Sequence, residues 1–275
     1  MAKGNGMFSN FSGKVGTIVG YTNKQSNNKQ TQVVRSYQPV VRNPMTLAQA
    51  TQRVKFTPVF WTYRKLKAII DRGQEGVEYG NRSRFAWLKQ ALGDYSAPWY
   101  KKDEVVKLPC LCPITIGSLG KIIPNSVGMN NIHTPFSCLE DGAYNTIGNV
   151  TESLLAFPQS LQVGDQLTFA CGDEGETYIY SFILDPSDNT PVDMFSWYQG
   201  RLMYTHNKNL KGASTFGLIV QSRKAANGSH LRSTSLVEIT ANARGQAPYQ
   251  EASRLPAIES YMSSATNSDW PEEQL

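Results

Sequence analysis

Two short β-branched segments near the start of the chain are separated by a polar stretch. Residues 13–21 and 32–37 are rich in Val, Ile and Thr, a composition that favours strands. The polar residues 22–31 between them are typical of a hairpin tip. We therefore predict an N-terminal β-hairpin.

A helical pattern follows the hairpin. Apolar positions at helical spacing predict a helix over 47–71, with Thr46 as its N-cap and either a kink or two abutting helices at Pro58. A second helix is predicted over 80–93. These elements define a hairpin-plus-helices region over residues 1–102.

From residue 103 the pattern changes to short β-prone segments that are separated by turns. Such segments predict an antiparallel β-sandwich of immunoglobulin-like type over 103–240, and hence an α+β chain. The segment 178–184 is the richest in β-prone residues and is predicted to be a central strand. The other predicted strands are 105–108, 114–116, 167–170, 216–221 and 235–239.

The last segment, 241–275, is rich in polar residues and proline and has an acidic end. Such a composition offers little to a core of its own, so we predict an extended arm that becomes ordered on a partner. Its apolar residues are the expected anchors: Tyr249, Leu255, Ile258, Tyr261 and Trp270.

Charge is segregated along the chain. Residues 1–102 carry 17 Lys and Arg against 4 Asp and Glu, a net +13, whereas residues 103–275 carry 10 against 18, a net −8. The basic region is expected to meet a polyanion or the acidic part of another copy, and the pattern leaves both open. The cations expected at that contact are Lys24, Lys29, Arg35, Arg42, Arg53, Lys55, Arg64, Lys65 and Lys67.

Aromatic residues also occur along the two predicted helices, close to Lys and Arg residues. They could stack on bases, but at helical spacing we expect them to belong to the core. They are Phe56, Phe60, Trp61, Tyr63, Phe85 and Trp87.

No catalytic motif accompanies the chain's 3 histidines. Cys110 and Cys112 with His133 and Cys138 suggest a zinc site, but one residue between the first two ligands is shorter than the usual two to four. We therefore predict a non-enzymatic protein without a metal or cofactor. No stretch approaches the ~20 apolar residues that span a bilayer, so we expect a soluble protein with reduced cysteines, made in a cytoplasm and without a membrane partner.

Two motifs resemble a known family. Residues 11–20 read FSGKVGTIVG, and residues 43–56 begin NPMT and end QRVKF. Together they resemble an uncharacterised domain-of-unknown-function family of Bacteroidota and their phages. The resemblance implies no catalytic residues. A phage origin would imply a virion component.

Two functions are consistent with these observations. The first is a phage virion structural or assembly protein, in a head–tail connector ring or a tail, which binds other copies of itself and other virion proteins. Its synthesis would take place in the host cytoplasm. The alternative is a nucleic-acid-binding protein that uses the basic N-terminal third to bind DNA.

Overall fold

The computed structural model of the protein describes residues 13–15, 18–24, 30–36, 46–206 and 215–263. The chain forms two compact units, Met1–Met45 and Thr46–Leu275. The sequence pattern put the first boundary at residue 102, but helices before that residue share a hydrophobic core with elements that follow it. A helix buries its apolar face against whichever element covers it, and a change in charge along the sequence does not mark that element.

The first unit contains a three-stranded antiparallel sheet. Its strands are β1 (Gly13–Val15), β2 (Ile18–Lys24) and β3 (Gln30–Ser36), which pair in chain order. The β2–β3 pairing confirms the predicted hairpin, whose tip at 25–29 lies outside the described residues.

The second unit contains the other elements of the described chain. Its α-helices are α1 (Leu47–Ile70), α2 (Asn81–Gly93), α3 (Ile147–Leu155), α4 (Ala241–Arg244) and α5 (Arg254–Ser263). Its strands are β4 (Pro113–Thr115), β5 (Lys121–Ile122), β6 (Ser126–Val127), β7 (Asn131–Ser137), β8 (Gln166–Gly172), β9 (Thr177–Ile183), β10 (Phe195–Tyr198), β11 (Arg201–Thr205), β12 (Phe216–Lys224), β13 (His230–Arg232), β14 (Thr234–Leu236) and β15 (Glu238–Ile239).

Two sheets of this unit share one core. One sheet has the order β10-β11-β7-β6, and the other has the order β13-β12-β8-β9 with β15 also paired to β12. Phe169 of β8 stacks on Tyr204 of β11, with ring centroids 4.9 Å apart, and meets Phe195 of β10 edge-on at 5.6 Å. These contacts join the inner faces of the two sheets.

Helices cover the opposite face of the five-stranded sheet. Because strand side chains alternate, Ala170 and Leu218 point away from Phe169 and belong to a second core. Leu66 of α1 and Trp87 of α2 lie in that core. The predicted α+β class with antiparallel sheets is therefore confirmed.

Helix α1 begins as predicted, at a capping box. The Thr46 hydroxyl accepts a hydrogen bond from the Gln49 N–H at 3.3 Å, and the Gln49 side chain accepts one from the Thr46 N–H at 3.4 Å. Two helical segments do meet at a kink within α1, but the kink lies at Leu66 (φ −110°, ψ 21°), so its predicted position at Pro58 is wrong. Pro58 is buried within the first helical segment, where it has no N–H for the hydrogen-bond ladder.

Two strand predictions are corrected. The segment 178–184 corresponds to β9, which lies at the edge of its sheet, while β8 and β12 lie inside. Ile179 and Ile183 on β9 are exposed because only one face of this strand is covered. Residues 105–108 form no strand, and two of their main-chain N–H groups donate to a tyrosine hydroxyl instead of a neighbouring strand.

The predicted extended arm is wrong for residues 241–263. Helix α4, two 3-10 turns at Ala247–Tyr249 and Glu251–Ser253, and α5 follow one another there. The prolines that suggested an arm stand where proline is tolerated, since Pro248 lies in a 3-10 turn and Pro256 in the first turn of α5. Residues 264–275 lie outside the described residues.

Helix α5 packs against α1. Ala257 and Ile258 are buried in the same core as the apolar side of α1. The hydroxyls of Tyr261 and Thr57 lie 3.0 Å apart and are hydrogen-bonded. Within the described part of the chain, no helix is long and apolar enough to cross a bilayer.

Candidate interaction surface

Helix α1 has one buried face and one exposed face. The buried residues recur at helical spacing: Ala50, Val54, Pro58, Val59, Thr62, Tyr63, Leu66, Ile69 and Ile70. The opposite side carries Arg53, Phe56, Phe60 and Arg64, at intervals of three, four and four residues, and we call these four residues the outer face of α1. This face is a strip of aromatic and basic side chains.

The two phenylalanines of the outer face are accessible to solvent. Phe56 is 41% exposed and Phe60 is 46% exposed, and their ring centroids lie 6.3 Å apart. The expectation that these aromatics belong to the core is therefore wrong for Phe56 and Phe60, and also for Phe85 on α2, which is 59% exposed. It is confirmed for Tyr63 and Trp87, which are buried.

Helical phase explains only part of this difference. Phe60 lies about 100° around the helix from its buried neighbour Val59. Phe56 and Tyr63 are seven residues apart and therefore lie on nearly the same side of α1, so phase does not separate them. Tyr63 is buried where it packs against Trp87 of α2, with ring centroids 6.5 Å apart, and the sequence pattern of α1 does not show that α2 covers this position.

The predicted cations of α1 have different environments. Lys65 donates to the Gly175 carbonyl and lies 5.3 Å from the Trp61 ring centroid. Lys55 lies 6.0 Å from the Tyr95 ring centroid. These two lysines therefore contact their own chain.

The other predicted cations of α1 lie nearer solvent. Lys67 pairs with Asp71, and the hydrogen bond to that carboxylate raises the pKa of Lys67. Arg53 is half-buried, whereas Arg64 is exposed. Arg64 has no ion pair or hydrogen bond with the described residues and is the cation of the outer face best placed to meet a partner.

Other predicted partner residues lie on the strands of the first unit or outside the described residues. Arg35 is exposed on β3. Lys24 is the last residue of β2, where the structure describes the main chain only. Lys29, Arg42 and Trp270 lie outside the described residues.

The predicted anchors in the C-terminal segment belong mainly to the protein's own core. Ile258 and Tyr261 are buried and Tyr249 is half-buried against the same core, so their assignment to a partner interface is corrected. They are apolar residues that α1 and the 95–112 segment cover. Leu255 is the exception, because it is 61% exposed on α5.

A buried group of hydroxyls and thiols lies beneath this segment. Burial and the neighbouring Tyr100 raise the pKa of Tyr249. The sulfur atoms of Cys110 and Cys112 are 3.3 Å apart, and the hydrogen bond with Cys110, together with burial, raises the pKa of Cys112 well above its ordinary value. Cys112 therefore remains a thiol at neutral pH.

The residues of the zinc hypothesis are distributed over two cores. Cys110 and Cys112 belong to the core beneath the helices, whereas Cys138 belongs to the core between the sheets. Among the described residues, no group of three or more His, Cys, Asp and Glu is arranged to hold a metal ion. The outer face of α1 is thus the candidate site that the sequence and structure support together.

Comparisons with known proteins gave no match: no family model fits the chain, and neither the curated proteins nor the solved structures contain a similar protein at a significant level. The resemblance to the Bacteroidota and phage family stays a prediction.

Proposed function

We propose that the protein is a phage virion structural or assembly protein that acts through contacts between copies of itself and with other virion proteins. The observation that carries the proposal is the exposed Phe56–Phe60 pair beside Arg64 on the outer face of α1. Aromatic and arginine side chains are enriched among the residues that contribute most to protein interfaces. A head–tail connector ring or a tail is the assembly that the family resemblance favours.

A second copy is the proposed occupant of this face. The first 102 residues carry a net +13 and the remainder a net −8, so the outer face of one copy is attracted to the acidic remainder of the next. A head-to-tail contact of this kind closes into a ring when the rotation between copies permits it. Exposed carboxylates of the remainder that are available for such a contact include Asp103, Glu140, Asp141, Glu174, Asp185 and Glu259.

The fold suits a building block of this kind. Two antiparallel sheets, a mixed three-stranded sheet of β4, β14 and β5, and a helix layer belong to one unit from Thr46, and a separate small sheet precedes it in the chain. The immunoglobulin-like type of the β structure is part of the proposal. It is supported by the contact of two antiparallel sheets across a shared core.

Sedimentation measurements over a range of concentrations test the proposal. We expect the wild type to associate, and the double variant Phe56→Ser/Phe60→Ser to need about tenfold more protein for the same association, because it loses two aromatic anchors. Phe85→Ser is the matched control, since Phe85 is also exposed but lies on α2. A wild type that stays monomeric at high concentration, or a double variant that associates like the wild type, would contradict the proposal.

The virion assignment has its own test. Mass spectrometry of purified particles should detect the protein at a stoichiometry that fits a ring or a tail. Its absence from the particles would overturn the virion location. The proposed contact between copies would then still be tested by the sedimentation measurements.

The alternative function is nucleic-acid binding through the same face. Exposed phenylalanines among cations also suit single-stranded nucleic acid, because bases stack on the rings and the cations neutralise phosphates. Binding to an oligonucleotide should then weaken steeply with salt and weaken further in Arg64→Gln. A flat salt response would exclude this function.

A further inference from the structure

A small cleft lies where the end of α1 meets the five-stranded sheet. Its volume is about 190 Å³, which is below the ~300–1,000 Å³ of sites for drug-sized ligands. Its polar lining consists of Arg72, Thr115, Gln166, Thr168, Ser181 and Arg232. No Asp or Glu is among the described residues that line it.

Sheet register places most of this lining on one face. Thr168 of β8 lies directly opposite Ser181 of β9, and Gln166 of β8 and Arg232 of β13 both lie opposite Ser222 of β12. Residues directly opposite one another point to the same side of a sheet. This side faces the turn that follows α1 and carries Arg72.

The guanidinium of Arg72 is available to a ligand. Arg72 is exposed, and its side chain has no ion pair or hydrogen bond with the described residues. The neighbouring carboxylate does not neutralise it, because Asp71 accepts hydrogen bonds from Tyr63 at 3.1 Å and from Lys67. Arg72 therefore contributes an unpaired positive charge to the cleft.

The second arginine of the cleft, Arg232, is held in place by contacts with Tyr79. Arg232 donates from Nη2 to the Tyr79 hydroxyl at 3.2 Å, and its guanidinium carbon lies 6.0 Å from the Tyr79 ring centroid. Its Nε is buried and has no hydrogen-bond partner within the described part of the chain. The carboxylate of Glu75 attracts the Arg232 guanidinium, an interaction that lowers the pKa of Glu75, but its oxygens accept hydrogen bonds from Ser118 and from the main-chain N–H of Arg232, and Glu75 does not line this cleft.

Two hydroxyls complete the lining. Thr168 Oγ1 and Ser181 Oγ are 2.9 Å apart and share one hydrogen bond. One hydroxyl donates to the other, so the accepting hydroxyl keeps its own proton for a further acceptor. The cleft thus combines two arginines with a free hydroxyl donor.

We propose that this cleft binds a phosphate group between Arg72 and Arg232, with a further hydrogen bond donated to the phosphate by the hydroxyl of Thr168 or Ser181. Arginine forms paired hydrogen bonds with phosphate oxygens, and no acidic side chain lines the cleft between the two arginines within the described part of the chain. The volume suits a single phosphate group. The site is separate from the outer face of α1 and does not depend on it.

Isothermal titration of the full chain with inorganic phosphate tests the site. The wild type should bind saturably, and Arg72→Gln should weaken binding about tenfold or more, because it removes a charge-assisted contact. Arg254→Gln on α5 is the control and should bind like the wild type. Arg232→Lys, which keeps the charge but loses the fork of donors, should also weaken binding. Absence of saturable binding, or equal binding by Arg72→Gln and the wild type, would overturn the proposal.

A competition experiment distinguishes the source of the phosphate. If a short single-stranded oligonucleotide displaces inorganic phosphate, and Arg72→Gln weakens both, the site accepts the backbone of a nucleic acid. If the oligonucleotide does not displace it, the site accepts free phosphate or a small phosphate ester. Phe56→Ser/Phe60→Ser should leave phosphate binding unchanged, so failure of this site and failure of the proposed assembly contact remain distinguishable.

Discussion

Helices α1 and α5 both carry apolar residues whose environment the sequence pattern predicts wrongly, and the two errors are of opposite kind. On α1 the aromatic pair Phe56 and Phe60 is exposed, whereas on α5 Ile258 and Tyr261 are buried against α1 itself. The pattern predicted the reverse for both pairs. Apolar type therefore decides less than the presence of a covering element.

The largest effect is expected from breaking the α5 contact. Ile258→Ala should lower the free energy of unfolding by about 2–4 kcal/mol, because Ile258 is only 6% exposed and its truncation leaves a cavity. Leu255→Ala, on the exposed side of the same helix, should change it by less than about 0.5 kcal/mol. Urea unfolding of both variants measures the difference. Equal effects would mean that α5 is not packed on the core.

A smaller effect is expected from the hydrogen bond between the two helices. Tyr261→Phe should cost about 1 kcal/mol, because it leaves the half-buried Thr57 hydroxyl without this partner. Thr57→Val made in the Tyr261→Phe background should cost clearly less than Thr57→Val in the wild type. Additive effects in this double-mutant cycle would show that the two hydroxyls do not interact.

The smallest effect is expected from the protonation of Glu75 as the pH falls. Burial raises the pKa of Glu75, but hydrogen bonds from the Arg232 and Ser118 main-chain N–H groups and from the Ser118 hydroxyl outweigh it, so the pKa lies below its ordinary value of 4.5. A carboxylate with a lowered pKa stabilises the folded state above its unfolded pKa, and this contribution is lost as the pH falls through the folded pKa.

Glu75→Gln should therefore reduce stability at pH 6 by less than about 1 kcal/mol, since solvent screens much of the interaction. The difference from the wild type should shrink between pH 5 and pH 3 as the carboxylate is protonated. Thermal unfolding at several pH values measures it. A difference that grows on acidification would show that the pKa of Glu75 is raised.

Local sequence patterns predicted many of the helices and strands. Thr46 followed by Gln49 specifies the start of α1, and the β-branched residues of β2, β3, β8 and β12 specify strands. No strand was predicted over residues 121–152, yet they form β5, β6, β7 and the start of α3. Ile132, Thr134 and Phe136 alternate with less buried residues, which is a strand pattern, but Pro135 argues against a strand with neighbours on both sides. The pairing of β7 with β6 and β11 is a tertiary feature that the segment alone does not show.

The candidate sites were predictable to different degrees. Arg64 was available from the charge pattern, whereas the exposure of Phe56 and Phe60 depends on which parts of α1 the other elements cover. Arg72 and Arg232 are 160 positions apart in the chain, so only the tertiary fold brings them to one cleft. That no carboxylate lines this cleft also depends on the tertiary fold, because the Asp71 and Glu75 side chains bond to groups outside it.

Hydroxyl-radical footprinting tests the central claim, that the outer face of α1 is a contact surface between copies. In dilute solution Phe56, Phe60 and Phe85 should all be labelled, because all three are exposed. On association the account predicts strong protection of Phe56 and Phe60 and unchanged labelling of Phe85. Association that leaves Phe56 and Phe60 as reactive as in the monomer would contradict it.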